Sequence, residues 1–228
     1  IGCINQTLRE AVPIVGTEFS LHYNSGRSAG GGFGSVVGSN ANLGGWTLSA
    51  HHAYDPLNNV LLRGDGSRRN SWRLGEPVVN GDNSLITSED GTEVYEFDSS
   101  GRHLRTRWPL TGATHYTFGY DPAGSLISVT DTTGNVTSIV RDAAGRPMAI
   151  VSPYGLPTTL ATDANGFIST IVDPLGNTEA FTTTLNGLIA SRTDPNGNVF
   201  NYTYDALGRL TRDEAPGSPI ALRRSALT

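Results

Sequence analysis

The chain has 228 residues, 28 of them Gly and 12 Pro, with 37% hydrophobic and 8% aromatic side chains, which fits one or two turn-dense all-β units better than a single large core. A net charge of −5 and a pI near 5.5 leave no basic footprint for nucleic acid, and no apolar run reaches the length of a membrane span. All 16 basic residues are Arg, read as genomic base composition rather than as phosphate binding, and the lone cysteine, Cys3, excludes an intrachain disulfide.

The first residues, Ile1 to Asn5, carry no signal peptide and no initiating Met, so the chain is expected to begin inside a longer precursor. Cys3 is a candidate interchain thiol, with an incidental thiol the plainer reading. Thr17–Tyr23, Trp46–Ala50 and Val60–Leu62 read as strands, the last followed by the turn Gly64-Asp65-Gly66. Ser25 to Gly45 reads as a flexible loop rich in Gly, Ser and Asn, and Trp72 to Asn83 as a second irregular stretch. The strand pair around Ser84–Thr87 and Glu93–Phe97 comes next. Residues 1–90 are expected to form an irregular β-rich cap or plug.

Residues 91–214 keep a beat. Gly124, Gly134, Gly145, Gly155, Gly166, Gly176, Gly187, Gly197 and Gly208 fall at alternating intervals of ten and eleven. Most close a four-residue segment opened by Asp, as in Asp98 to Gly101, Asp121 to Gly124, Asp131 to Gly134 and Asp142 to Gly145. Asp163 to Gly166, Asp173 to Gly176, Asp194 to Gly197 and Asp205 to Gly208 continue the series, while Ser152 and Thr184 replace the Asp in two units. Asp suits the first position of a type I turn, Pro the second, and Gly a left-handed fourth position that forms a G1 bulge. Six or seven residues remain between turns, the length of a strand and too short for a helix.

Aligned on their glycines, the fifth residues are Val129, Ile139, Ile150, Leu160, Ile171, Phe181, Arg192 and Tyr202. The fourth are Ser128, Ser138, Ala149, Thr159, Thr170, Ala180, Ser191 and Asn201. Neighbours on a strand point to opposite faces, so one face is apolar and the other small and polar. Such strands predict a twisted ribbon roughly 20 Å wide, about ten of them spanning some 45 to 50 Å. Ala215-Pro216-Gly217-Ser218-Pro219 interrupts the beat, and residues 215–228 read as a tail or a truncated next strand. The ribbon is expected to end in open edges that something else covers.

The aromatic residue before the turn completes a signature in Phe97-Asp98-Ser99-Ser100-Gly101-Arg102, Tyr120-Asp121-Pro122-Ala123-Gly124 and Tyr204-Asp205-Ala206-Leu207-Gly208-Arg209-Leu210. It resembles the RHS or YD-repeat family over residues 97 to 212. Val12 to Tyr23 and Gly45 to Pro56 are similar to the region before the repeats in large bacterial teneurin-like RHS proteins. The resemblance implies a spiral β-hairpin ribbon, part of a hollow RHS shell, that encloses a polypeptide cargo or stands on a cell surface. It also implies a secreted or cell-surface bacterial setting, with the rest of the shell or other copies of the chain as partners. The family's self-cleaving core follows its last repeat; nothing after Arg212 matches it, so neither autoproteolysis nor an attached toxin carries over. The propeller common in teneurin-like members has only Asn70 to Leu85 to occupy.

No catalytic, cofactor or metal site is expected. Of His22, His51, His52, His103 and His115, only His51 and His52 adjoin, and strand neighbours pointing to opposite faces cannot share an ion. The Asp turns, including Asp163-Asn165 and Asp194-Asn196, lack the six or more oxygens of a calcium site. Gly30-Gly31-Gly32-Phe33-Gly34 lacks the ending of a P-loop, and no Gly-x-Ser-x-Gly elbow occurs. Arg192 interrupts the apolar column near Glu179, as surface charges or as lining of a shell interior. A non-catalytic wall segment is the leading expectation. The alternatives are a filament or surface-layer subunit joined through β-edges, and a carbohydrate-binding module using Trp46, Trp72, Trp108 and Tyr202.

Overall fold

The computed structural model describes residues 7–28, 43–70 and 77–221. Cys3, Trp72 and the Gly30–Gly34 run lie outside the described residues. The chain is all-β apart from one helical turn, α1 (Ser25–Ser28). Strands β1 (Arg9–Pro13), β2 (Ser20–Asn24) and β3 (Thr47–Leu48) form one antiparallel sheet, and β4 (Ala53–Asp55), β5 (Val60–Leu62) and β6 (Arg68–Arg69) another. The third is a fifteen-stranded meander in strict chain order. It runs through β7 (Val78–Asn80), β8 (Asn83–Thr87), β9 (Val94–Phe97), β10 (His103–Arg107), β11 (Thr114–Tyr120), β12 (Leu126–Asp131), β13 (Val136–Arg141) and β14 (Pro147–Val151). It ends with β15 (Pro157–Thr162), β16 (Ile168–Val172), β17 (Thr178–Thr183), β18 (Ile189–Thr193), β19 (Val199–Tyr204), β20 (Leu210–Ala215) and β21 (Ser218–Ala221).

The sheet passes residues 91 and 214 on both sides, because two short hairpins lie where the beat looks broken. Gly81 (φ 63°) turns β7 into β8, and Pro216-Gly217 (Gly φ 78°) turns β20 into β21. Pro followed by a left-handed Gly is the chemistry of a type II turn.

Consecutive turns alternate between the two rims of the ribbon. One rim carries the turns opened by Asp131, Ser152, Asp173 and Asp194, and the other those opened by Asp121, Asp142, Asp163, Thr184 and Asp205. We call these the plain and the bulged rim. Each hairpin at the bulged rim slips register just after its turn: Gly119 pairs with Ser128 but Tyr120 with Leu126, and Val140 with Ala149 but Arg141 with Pro147. The same slip occurs in β15–β16, β17–β18 and β19–β20, whereas β12–β13 and the other plain-rim hairpins up to β18–β19 run in unbroken register.

The slip makes two kinds of strand. Six-residue segments leaving the bulged rim hold one unpaired residue and bury side chains three apart: Leu126 with Val129, Ile168 with Ile171. Seven-residue segments leaving the plain rim alternate normally and bury Thr137 with Ile139, and Thr158 with Leu160. A bulge bends its strand and sharpens the local twist. The signature Tyr repairs the interruption, because the Tyr204 hydroxyl donates to the carbonyl of Ile189, immediately before the extra residue, at 2.8 Å. Arg141 takes the same role toward Leu126 O, with Nη2 at 3.2 Å.

The apolar face is covered by the chain's own N-terminal segment. Leu8, Ile14, Phe19, Leu21, Tyr23, Leu43, Trp46 and Leu48 form one core with the ribbon's buried column from Tyr116 to Leu210. Trp46 meets Phe181 edge-on at 5.1 Å and Phe19 meets Tyr116 at 5.4 Å. A smaller cluster of Tyr54, Leu61, Ile86, Tyr95 and Phe97 joins the second sheet to β8 and β9.

Candidate functional site

Three polar fastenings hold the inner segment to the ribbon. At the first, the Tyr23 hydroxyl enters the turn before β18, donating to Gly187 O at 3.1 Å and accepting from Ile189 N–H at 3.0 Å. Nearby, Ile168 N–H donates to Gly44 O at 2.9 Å.

The second is ionic. Arg192, the exception in the apolar column, donates Nε and Nη2 to the two carboxylate oxygens of Glu179 at 2.7 and 2.9 Å. Its Nη1 lies 3.3 Å from Glu10 on β1, and the Tyr202 hydroxyl donates to the other Glu10 oxygen at 3.0 Å. Burial raises the Glu10 carboxyl above its ordinary range, against the opposing pull of Arg192 and Tyr202. The Arg192 guanidinium also lies over the Phe200 ring. The arginine therefore spans β17, β18 and β1 as an inward cross-link, which neither sequence reading of it described.

The third is a buried cluster of three histidines. His51 and His52 lie between β3 and β4 in non-strand backbone, so opposite-face geometry does not separate them, a correction to the strand argument. Their rings sit 6.0 and 5.2 Å from that of His103, which stacks on Phe118 at 4.1 Å. Hydrogen bonds assign the protons. Tyr120 O–H donates to His103 O at 2.7 Å, so its oxygen accepts from His51 Nε2–H at 2.9 Å. His52 Nδ1 accepts from Gly64 N–H at 3.0 Å, and His103 Nδ1 from His52 N–H at 3.2 Å while its Nε2–H faces Arg105 O. A second proton on His52 or His103 must displace a backbone donor. Burial pushes His52 down to about 3 and His103 well below its usual range, with neighbouring histidines adding to both shifts.

The turn aspartates are occupied locally. Oδ1 of Asp98, Asp121, Asp131, Asp142, Asp163, Asp173, Asp194 and Asp205 accepts the N–H four residues on at 2.8 to 3.0 Å. At Asp131, Asp173 and Asp194 the second oxygen takes the side-chain amide of Asn135, Asn177 or Asn198. Hydrogen bonds from Asn135 and Thr133 hold Asp131 down at about 2, and those from Arg209 hold Asp205 there. Among the described residues no group of three His, Cys, Asp or Glu side chains is arranged to hold a metal.

Two of the aromatics read as carbohydrate-facing are corrected as well. Trp46 is 2% exposed and Tyr202 6% exposed, both packed between inner segment and ribbon, while Trp108, 39% exposed, stacks on His115 at 4.2 Å. Among the described residues no helix is long and apolar enough to cross a membrane.

Comparison with known proteins places this architecture. The sequence profile of the Teneurin YD-shell family matches residues 82–226. Teneurin-4 of Mus musculus is 36% identical over 72 residues, 31% of this chain and 3% of that protein. Teneurin-m of Drosophila melanogaster is 42% identical over 60 residues, 25% of this chain and 2% of that protein. The aligned stretches thus span only a few hundredths of those relatives, which are animal rather than bacterial proteins. Among solved structures, TcdB2-TccC3-Cdc42 aligns with 71% of this chain and 14% of its own at 12% identity and a TM-score of 0.24. The Photorhabdus luminescens Tc holotoxin pore aligns with 60% and 10% at 16% identity and a TM-score of 0.27. With its meander of Asp-to-Gly turns and a family match over more than half its length, the chain belongs to the Teneurin YD-shell family.

Proposed function

We propose that the chain is a non-catalytic wall segment of a secreted or cell-surface β-shell. The observation that carries this reading is the single-layer sheet, whose outermost strands β7 and β21 each pair on one side only among the described residues. An unpaired edge is a template for another strand, and we assign both edges to the rest of the shell. We read residues 1–90 as the part that contains the plug, 91–214 as the repeat body and 215–228 as the start of a further strand. The plug already covers the apolar inner face here, so any polypeptide cargo would be enclosed by other stretches of the shell.

Hydrogen exchange tests the reading: amides of β7 and β21 should exchange fast in the isolated chain and slowly within a longer parent protein. Edge amides of the isolated chain protected as well as those of the interior strands would sink it. The open edges also suit pairing between copies, as in a filament or surface layer; concentration-dependent light scattering by the isolated chain would favour that second reading.

A further inference from the structure

At the plain rim, the tip of the β1–β2 hairpin and the turns opened by Asp131 and Ser152 enclose a half-open cavity of about 310 Å³. Its size is at the lower end for small-molecule sites. Three features set its chemistry. Glu18 and Asp131 bring two carboxylates to the wall, and among the described residues no basic side chain lines it. Thr137 lines it too, 2% exposed, and among the described residues its hydroxyl has no hydrogen-bond partner. Tyr154, beside it, is 77% exposed.

The polar groups are mostly acceptors. Asn135 spends its amide N–H groups on Asp131 and Thr133, leaving its oxygen. The Thr17 hydroxyl donates to Ile14 O. Burial first, and then the neighbouring Glu18 carboxylate, push the Tyr116 hydroxyl up, so Glu18 stands beside that ring with lone pairs to offer. The Thr137 hydroxyl on the cavity wall is thus available to accept a hydrogen bond from a ligand. A surplus of acceptors, two negative charges and an aromatic face together select a cation rich in N–H donors.

We propose that this rim cavity binds a small organic cation, a guanidinium or alkylammonium group seated against Glu18, Thr137 and Tyr154. The site is independent of the wall reading, since it lies at a turn rim and not at a sheet edge. Titration calorimetry of the whole chain with agmatine at low salt should show saturable one-site binding. Glu18→Gln and Thr137→Val should each weaken it by about tenfold, the scale of one lost hydrogen bond to a charged group. Tyr154→Ala, on an exposed side chain, should weaken it as well and keeps the test open if a buried variant fails to fold.

A blocked arginine peptide run in parallel separates the sources, tighter peptide binding assigning a partner's side chain and tighter agmatine binding a free metabolite. Absence of saturable binding, unchanged affinity in folded Glu18→Gln, or equal binding of a neutral methyl glucoside would each overturn the proposal.

Discussion

Acidification should loosen the chain well before its carboxylates titrate. His52 and His103 are fully enclosed and held neutral, with His52 down at about 3, whereas an unfolded histidine titrates near 6.5. The unfolded state therefore binds more protons throughout that interval, and stability falls as pH falls. Each histidine costs about 1.4 kcal/mol per pH unit below roughly 6.5, so at about pH 5 the two together remove about 4 kcal/mol. For a chain of this size that is a drop in Tm of roughly 8 to 16 °C. Urea unfolding at a series of pH values gives the number of protons taken up directly. His52→Asn keeps an acceptor for Gly64 N–H and removes one site, so the slope should halve. A slope that is flat between about pH 7 and pH 5, or that His52→Asn leaves unchanged, would refute the reasoning.

Four further outcomes follow from other contacts. Gly155→Ala, at φ 77° with open space around it, should cost only the left-handed strain of about 1 kcal/mol. Gly101→Ala should cost at least about 3 kcal/mol and shift the melting curve accordingly, because the new Cβ would overlap the carbonyl oxygen of Tyr54. Tyr204→Phe keeps the ring but strands Ile189 O, and should lose about 1 to 2 kcal/mol in denaturant titration, with Tyr154→Phe unchanged as comparison. Arg192→Met leaves Glu10 and Glu179 facing each other without a cation; a loss of about 2 to 3 kcal/mol is expected, partly restored by adding Glu10→Gln.

Much of the ribbon was legible because its determinants are local. An Asp and a left-handed Gly three residues later fix a turn by themselves, and the column from Val129 to Tyr202 shows which face is apolar. The bulge was also written in the chain, as Leu126, Pro147, Ile168, Ile189 and Leu210 at the second position after alternate glycines, but a strict two-residue period hides it. The fastenings were not legible. Arg192 finds Glu10, and His103 finds His51 and His52, only once the N-terminal segment lies against the sheet, and no spacing rule encodes such distant pairs. Trp46 and Tyr202 were misplaced for the same reason: an aromatic on a ribbon looks available until something covers it.

The alternation of rims sets how such a chain can change length. A six-residue strand with its bulge and a seven-residue strand without one are complementary halves, and the pattern restores itself only from Gly124 to Gly145, twenty-one residues on. Loss of a single strand would join two plain or two bulged rims and turn every later apolar side chain outward. Duplication or deletion is therefore tolerated in whole hairpin pairs, and the wall lengthens or shortens by that quantum.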